Sequence, residues 1–314
     1  MKKKAIILGV NGQDGSYIGE VLIKKGYYVI GLGRQMKSKW ITESSVYKYI
    51  NLNLVNLEEL MLTLKTYKPN IVYHVAAIHG SAGFNYEQYW QETHLVNTQV
   101  THAILEYLRT DKNDGELVYV SSSKVFESYG EFISENTRRK SDCIYTVTKN
   151  AATDLINYYR SRHDVKGSVI WTFNHESERR SDQYFINKLI KSIAMSKSNK
   201  STITHFSNLD FWCDWGSAKE YMKILVNISE SHIGQDFIIA TGVQHYARDL
   251  VSTLFENYDL DYRNHISEEK VTKNFLRPGN ADISKLNKIM NEVPKLNIFD
   301  LCNEMLENYR LVHQ

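Results

Sequence analysis

Short apolar runs and helical stripes alternate along the first half of the chain. Residues 5–8, 28–32, 47–52, 70–75, 116–121 and 168–172 are apolar runs of strand length. Between them apolar residues recur at helical spacing, at Tyr17, Ile18, Val21 and Leu22, then over 57–64, 86–108 and 141–162. Strands alternating with helices in this way predict an α/β protein with a doubly wound parallel sheet. Beyond Phe173 the pattern loosens. Helices are predicted over 184–194, 218–228, 247–256 and 299–309, with short strands at 202–206 and 236–239. That is too little strand for a second large sheet. It predicts a smaller lobe at the carboxyl ends of the strands, where ligands of such sheets bind. The expected division is 1–173 for a dinucleotide-binding unit and 174–314 mainly for a substrate lobe, with the chain free to cross back to the main sheet.

The first turn carries the strongest chemical signal. The run Gly9-Val10-Asn11-Gly12-Gln13-Asp14-Gly15 joins the first strand to the first helix. Glycines there let the backbone turn tightly and approach a pyrophosphate, and the helix N-terminus offers N–H groups and a positive dipole end. This is the opening of a Rossmann dinucleotide-binding unit. Its expected cofactor contacts are Gly9, Gly12, Gln13, Asp14 and Gly15, with Ala76 and Ala77 leaving room at the end of the fourth strand.

Composition narrows the field. In 314 residues the formal net charge is +2, which argues against a dedicated nucleic-acid binder. Cys143, Cys213 and Cys302 have no paired spacing, so neither a disulfide framework nor a metal site is expected. No apolar run approaches a membrane span, and the one after Lys2–Lys4 is too short for a signal peptide. A cytoplasmic protein without a membrane or nucleic-acid partner is expected.

The fifth strand ends in Ser121-Ser122-Ser123, and Tyr145 and Lys149 follow on the next long helix. Positions four apart share a helix face. An ammonium beside a phenol favours the phenolate, and a phenolate near an alcohol is a general base. Ser122 is placed to orient the same hydroxyl while carbon gives up hydride to a nicotinamide.

These residues resemble the extended short-chain dehydrogenase/reductase family, and in particular its GDP-mannose 4,6-dehydratases. The similarity lies in the opening Gly9–Tyr27, in Phe173–Arg180, in Asn208-Leu209-Asp210 through Asp214–Lys219, in Ala240-Thr241-Gly242 to His245, and in Arg277-Pro278. The resemblance implies a GDP-sugar substrate. Asn174 would contact the sugar-phosphate region, Lys188 the pyrophosphate, and Arg248 and Arg277 the nucleotide diphosphate. Glu176 and Arg179 lie in the same matching run and join the substrate-binding candidates. The resemblance also implies that helices 86–108 and 141–162 pack in a homodimer or homotetramer, and that the product serves surface-glycan synthesis.

The departures from that family carry the functional argument. The dehydratases of this type have a Glu two residues after the catalytic Ser/Thr; here Ser122 is followed by Ser123 and Lys124. Eliminating water needs a carboxyl group that switches between base and acid, and an ammonium with a reference pKa of about 10.4 is a poor substitute unless strongly desolvated. Glu127 lies past the strand end, out of register. Hydride chemistry at C4 is therefore expected without dehydration. The family pair Arg-Arg after the second strand is Arg34-Gln35 here, which weakens binding of a 2′-phosphate. No acidic residue stands there for a ribose hydroxyl, so NAD(H) is favoured narrowly over NADP(H). Asn53 and Leu54 are the candidates beside adenine. His79, after Ala76-Ala77-Ile78, is expected to face the sugar, as a hydroxyl ligand, as a base for epimerisation, or as a loop residue with a structural hydrogen bond.

The reading is a nicotinamide-dependent oxidoreductase at C4 of a GDP-linked manno-configured hexose or heptose, with Tyr145, Lys149 and Ser122 as its catalytic set. A 4-keto-6-deoxy sugar reductase, an epimerase, a 4,6-dehydratase with a displaced carboxylate, and a non-catalytic nucleotide-sugar binder are the alternatives.

Overall fold

The structure is a computed structural model and describes residues 2–81, 83–111, 114–127, 130–199, 201–269 and 277–313. The chain opens with β1 (Lys4–Leu8), α1 (Gln13–Lys24), β2 (Tyr28–Gly33), β3 (Tyr47–Asn51), α2 (Leu57–Tyr67) and β4 (Ile71–His74). Further on, β5 (Glu116–Ser122) leads to the helix Ile144–His163 and the strand Lys166–Thr172. Seven strands form one parallel sheet, in the order Phe237–Ile239, Lys166–Thr172, β5, β4, β1, β2, β3. This is the doubly wound fold the apolar pattern predicts. The order reverses at β1, so β1 and β4 frame a crevice at their carboxyl ends.

Both faces of the sheet are dry. Ile6, Leu8, Val72 and Leu117 pack on one side with Val100, Ile104 and Ile156. Ala5, Ile7, Val29 and Val118 pack on the other with Ile18, Leu22 and Leu225. Strands buried on both faces have to be uniformly apolar, which is why their period-2 signal is absent. The strand Phe237–Ile239 belongs to the main sheet, and the helix Ala218–Ser231 packs against α1. The chain thus leaves the sheet after Thr172 and returns to it. A separate core built on Leu189, Trp215, Leu250 and Leu301 holds the second lobe.

Local signals set the helix ends. Asn56 caps α2 by accepting from the Glu59 N–H at 3.2 Å, and Lys68 closes it in the left-handed region. The helix Ile144–His163 starts at a capping box between Cys143 and Thr146. The stretch predicted as one helix over 86–108 is divided. It begins as a 3₁₀ turn (Tyr86–Tyr89) and contains a π turn at Leu95–Gln99. The π turn carries the fully buried Asn97, whose side chain donates to Thr148 at 3.1 Å and accepts from the Ile78 N–H at 3.1 Å. One buried amide therefore ties the loop after β4 to the helix of Tyr145. Among the described residues no helix is long and apolar enough to cross a membrane.

At the opposite end of the sheet, Glu116 is buried, and its Oε2 has no hydrogen-bond partner among the described residues. Burial raises its pKa to about 7, against the pull of Lys166 and Lys3 and with a push from Glu230. A carboxyl with a raised folded-state pKa stabilises below its ordinary pKa and loses that contribution as pH rises through about 7. Glu116→Gln should match the wild type in Tm at pH 5 and exceed it by a few degrees at pH 8. Equal Tm values at pH 8 would show that Glu116 is not desolvated.

Candidate active site

The crevice at the strand ends is a cleft of about 340 Å³. Gly9, Gly12, Gly15, Ala77, Ser122, Tyr145, Lys149 and Asn174 are among its lining residues. The glycine turn fits a dinucleotide for steric reasons. Gly9 has φ +91°, and a Cβ there would stand 3.0 Å from the Ala76 backbone. A Cβ on Gly15 would lie 2.4 Å from the Gly9 carbonyl oxygen. α1 starts at Gly12 with no side-chain cap, so its first N–H groups face the cleft mouth unmasked by a side chain. The buried Ser121 Oγ, also in the lining, lacks a partner among the described residues.

Tyr145 is buried and hydrogen-bonded to the Ser122 side chain. Ser122 Oγ also accepts from the Lys124 N–H at 3.2 Å, which fixes its rotamer at the strand end. Lys149 is 2 % exposed; its Nζ donates to the Val120 carbonyl at 2.8 Å and lies 5.8 Å from the Tyr145 ring centroid. The expectation that Lys149 depresses the Tyr145 pKa needs correction. Burial pushes Tyr145 well above the usual phenol range; the Ser122 hydrogen bond and Arg180 oppose it without prevailing. Burial also lowers Lys149 to about 7, with Asp14 pulling the other way. At neutral pH in the free protein Tyr145 is therefore protonated and Lys149 about half protonated.

Asp14 faces His175 rather than open cleft. His175 Nε2 lies 2.9 Å from Asp14 Oδ1, and Nδ1 lies 2.7 Å from the Phe173 carbonyl. Both partners are acceptors, so both ring nitrogens carry hydrogen and the pair is an imidazolium with a carboxylate. Gln13 joins the same seam. It donates to the His175 carbonyl at 3.2 Å and accepts from Ser177 Oγ at 2.8 Å. Gln13 and Asp14 thus bind the substrate-side segment to α1 with the side chains expected to meet cofactor.

Other candidates separate into those the cleft gathers and those it does not. His79 stands 4.7 Å from the Tyr145 ring, centroid to centroid. Lys124 lines the cleft and a second cavity of about 600 Å³; burial lowers its pKa and Arg180 adds to the effect. Desolvation therefore reaches Lys124, as its role in the sequence argument left open. Asn174 donates to Cys213 Sγ at 3.0 Å. Ser123 lines a smaller pocket with Trp212 and Gln244. Lys188 enters the second cavity, 5.0 Å over the Phe206 ring. Arg277 donates to Gln244 at 3.0 Å and stacks on Trp212.

Three charged side chains expected to meet substrate are already paired within the protein, although Arg179 lines the cleft and Glu176 the second cavity. Arg248 is held by Asp210 at 2.7 Å and by both oxygens of Glu268, so its charge is already matched. Arg179 donates to Ser16 and Glu20 on α1 and stacks on Tyr17. Glu176 is buried and accepts from Arg180 at 2.7 Å, supporting it from below. Arg34 and Asn53 stand exposed past the ends of β2 and β3, and Leu54 is buried in the core. Glu127 pairs with Arg138 at 3.3 Å, away from the cleft.

Arg180, which the sequence offers with Arg179 as a basic run for a diphosphate contact or a solvated loop, lines the cleft. Its Nη1 donates to Glu176 and to the His175 carbonyl at 2.9 Å, and its guanidinium sits 3.8 Å over the Tyr184 ring. Its spacing of four from Glu176 was the available signal. Tyr86, Tyr184 and Asn97 carry no such signal; each reaches the site through tertiary packing.

Comparison with known proteins agrees with this geometry. The family model described as GDP-mannose 4,6 dehydratase matches residues 6–305. A GDP-mannose 4,6 dehydratase of Drosophila melanogaster is 26% identical over 341 residues, covering 97% of this chain and 85% of that one. A Vibrio cholerae GDP-mannose 4,6-dehydratase is 25% identical, covering 98% and 93%. Among solved structures, a dTDP-glucose 4,6-dehydratase of Streptomyces venezuelae with NAD bound superposes with a TM-score of 0.84 at 14% identity, over 98% of this chain and 97% of that one. A UDP-glucose 4-epimerase of Thermotoga maritima gives 0.83 at 16% identity, over 99% and 100%. The match along nearly the whole chain, with the glycine turn and the Ser–Tyr–Lys set in place, shows that the chain belongs to the GDP-mannose 4,6 dehydratase family.

Proposed function

We propose that this protein is a nicotinamide-dependent oxidoreductase acting at C4 of a GDP-linked manno-configured hexose or heptose, and that it does not eliminate water. The family places it among nucleotide-sugar enzymes. One observation carries the finer reading: of the described residues lining the cleft around Tyr145, Asp14 is the only carboxylate, and His175 holds it. Elimination needs a carboxyl group, and the charged side chains free to serve the cleft are cations, Lys124 and Arg180 among them.

Gly9, Gly12, Gly15, Ala76, Ala77 and the N-terminus of α1 are the residues that would hold a dinucleotide, with Lys149 a further candidate contact. A bound nicotinamide dinucleotide supplies the hydride acceptor. Ser122 positions the sugar O4 by hydrogen bonding. Tyr145, protonated in the free protein, first gives up its phenol proton to solvent; as the phenolate it then receives the O4 proton while the C4–H bond breaks. Lys124 and Arg180 lie where a diphosphate needs cations. NAD(H) is the favoured cofactor because Gln35 offers no charge to a 2′-phosphate. Cytoplasmic location and a homo-oligomer are further parts of the reading, from the resemblance alone.

A second reading has an observation of its own. Burial keeps Tyr145 protonated in the free protein. A protonated phenol donates to a carbonyl oxygen, so reduction of a GDP-4-keto sugar by the same residues is the alternative direction.

Mass spectrometry of GDP-mannose and its seven-carbon homologue after incubation with NAD or NADP tests this. The expected product is lighter by two hydrogens, with reduced cofactor appearing. A product lighter by one water, without net cofactor change, would overturn the proposal and restore the dehydratase. Conversion of a GDP-4-keto-6-deoxy sugar alone would select the reductase.

A further inference from the structure

We propose that His79, paired with Tyr86, is an acid–base residue that moves a proton at the carbon beside the C4 carbonyl, so that the oxidised sugar is enolised and epimerised at C3 or C5. The inference rests on the C4-oxidation reading and extends it to a second activity at the same site.

The placement of His79 is specific. It follows β4 directly, and the preceding Ile78 N–H is pinned at 3.1 Å by the buried Asn97 of the π turn. π turns inside helices recur at functional sites because they re-aim a side chain. His79 Nδ1 and the Tyr86 hydroxyl are 2.6 Å apart, which leaves Nε2 for a ligand. Its ring also neighbours Tyr184, at 6.2 Å. His79 lines both the catalytic cleft and the second cavity. A sugar whose O4 lies at Tyr145 and Ser122 must pass this junction to reach the second lobe.

The chemistry follows from the surroundings. Burial, then Lys124, Arg180 and Lys149, lower the His79 pKa to about 3, so the imidazole is neutral and only weakly basic in the free protein. A bound diphosphate offsets those cations and makes the imidazole more basic. With hydrogen on Nδ1 toward the Tyr86 oxygen, Nε2 takes the proton from C3 or C5. The C–H electron pair moves into a new C=C bond to C4, and the carbonyl π pair moves onto O4. Tyr145 and Ser122 hydrogen-bond that oxygen. Return of a solvent-derived proton to the same face leaves an exchanged hydrogen; return to the other face gives the epimer. No further oxidant is consumed.

The test is run in D₂O with the full-length protein, NAD and GDP-mannose. Hydroxylamine traps the C4 ketone, and NMR and mass spectrometry locate deuterium in the nucleotide sugar. The wild type should place deuterium at C3 or C5 well above an enzyme-free ketone control. His79→Gln should lower deuterium incorporated per ketone formed by at least 50-fold, and Tyr86→Phe by about tenfold. Ketone without deuterium in the wild type overturns this proposal and leaves C4 oxidation standing. Absence of both ketone and reduced cofactor overturns C4 oxidation itself. Exchange that survives in His79→Gln and disappears in Lys124→Met moves the base to Lys124 and overturns the assignment to His79.

Discussion

Tyr145→Phe is expected to lower turnover at C4 by about 10²–10⁴-fold, the usual contribution of a positioned general acid or base. Cofactor binding should change little, because the glycine turn and α1 make that site. The argument is local. The phenol is buried and bonded to Ser122, so removing one oxygen leaves the ring packed between His79 and Tyr86. It removes the one atom able to exchange a proton with O4. The effect should fall on kcat more than on KM, since the lost contact matters most as O4 changes charge. NADH fluorescence titration and single-turnover kinetics separate the two. A Tyr145→Phe protein within fivefold of wild-type turnover would remove Tyr145 from the chemistry and support a binding protein. Ser122→Ala should lie between them, because Ser122 orients O4 but transfers no proton.

The pH dependence follows from the same burial. Tyr145 is raised and Lys149 lowered to about 7 in the free protein, both chiefly by desolvation. The Lys149 charge is therefore lost near neutrality unless Asp14 or a ligand retains it. Sequence reasoning treated the pair as two charged groups on a helix face and reached the opposite sign for Tyr145. Its error was to count the neighbour and omit the solvent. The fold itself was legible because buried strands and amphipathic helices write their period directly into residues such as Ala5–Leu8 and Tyr17–Leu22. That Ser122, Tyr145 and Lys149 meet in one cleft was legible because Tyr145 and Lys149 share a local spacing and Ser122 ends a recognisable strand. The ion pairing of Arg248 was not legible because its partners, Asp210 and Glu268, reach it across the fold by an approach that no local pattern encodes. The π turn at Leu95–Gln99 was invisible for the same reason, since it answers a demand of Ile78 and Thr148 across the fold.

Breaking the Asp14–His175 pair should have the largest effect on stability. Removing one partner of a buried ion pair costs about 3–5 kcal/mol, because it leaves the other charge unmatched. Asp14→Asn should therefore lower Tm by on the order of 6–15 °C, and a double replacement with His175→Gln should recover part of that loss. The pH response gives the pair a signature. Burial works against ionised Asp14, yet the charge and hydrogen bond of His175 prevail and hold it at about 2. That contribution is present above the ordinary carboxyl pKa and lost as pH falls through about 2. Burial likewise opposes protonated His175, but Asp14 raises its pKa. That contribution is complete below the ordinary histidine value and lost as pH rises through the raised one. The pair is therefore strongest between about pH 4 and 6.5, and Tm measured from pH 3 to 9 should fall on its alkaline side in wild type but not in Asp14→Asn. Glu116 loses stability over part of the same range, so the comparison belongs in a Glu116→Gln background. The seam also carries function. His175 lies in the segment that brings Asn174 and Arg180 to the cleft, and Asp14 sits in the first turn of the helix proposed to receive the dinucleotide. Asp14→Asn should thus weaken NADH binding and nucleotide-sugar binding together. Loss of one alone, or a Tm unchanged at every pH, would show that this pair does not join the two sites.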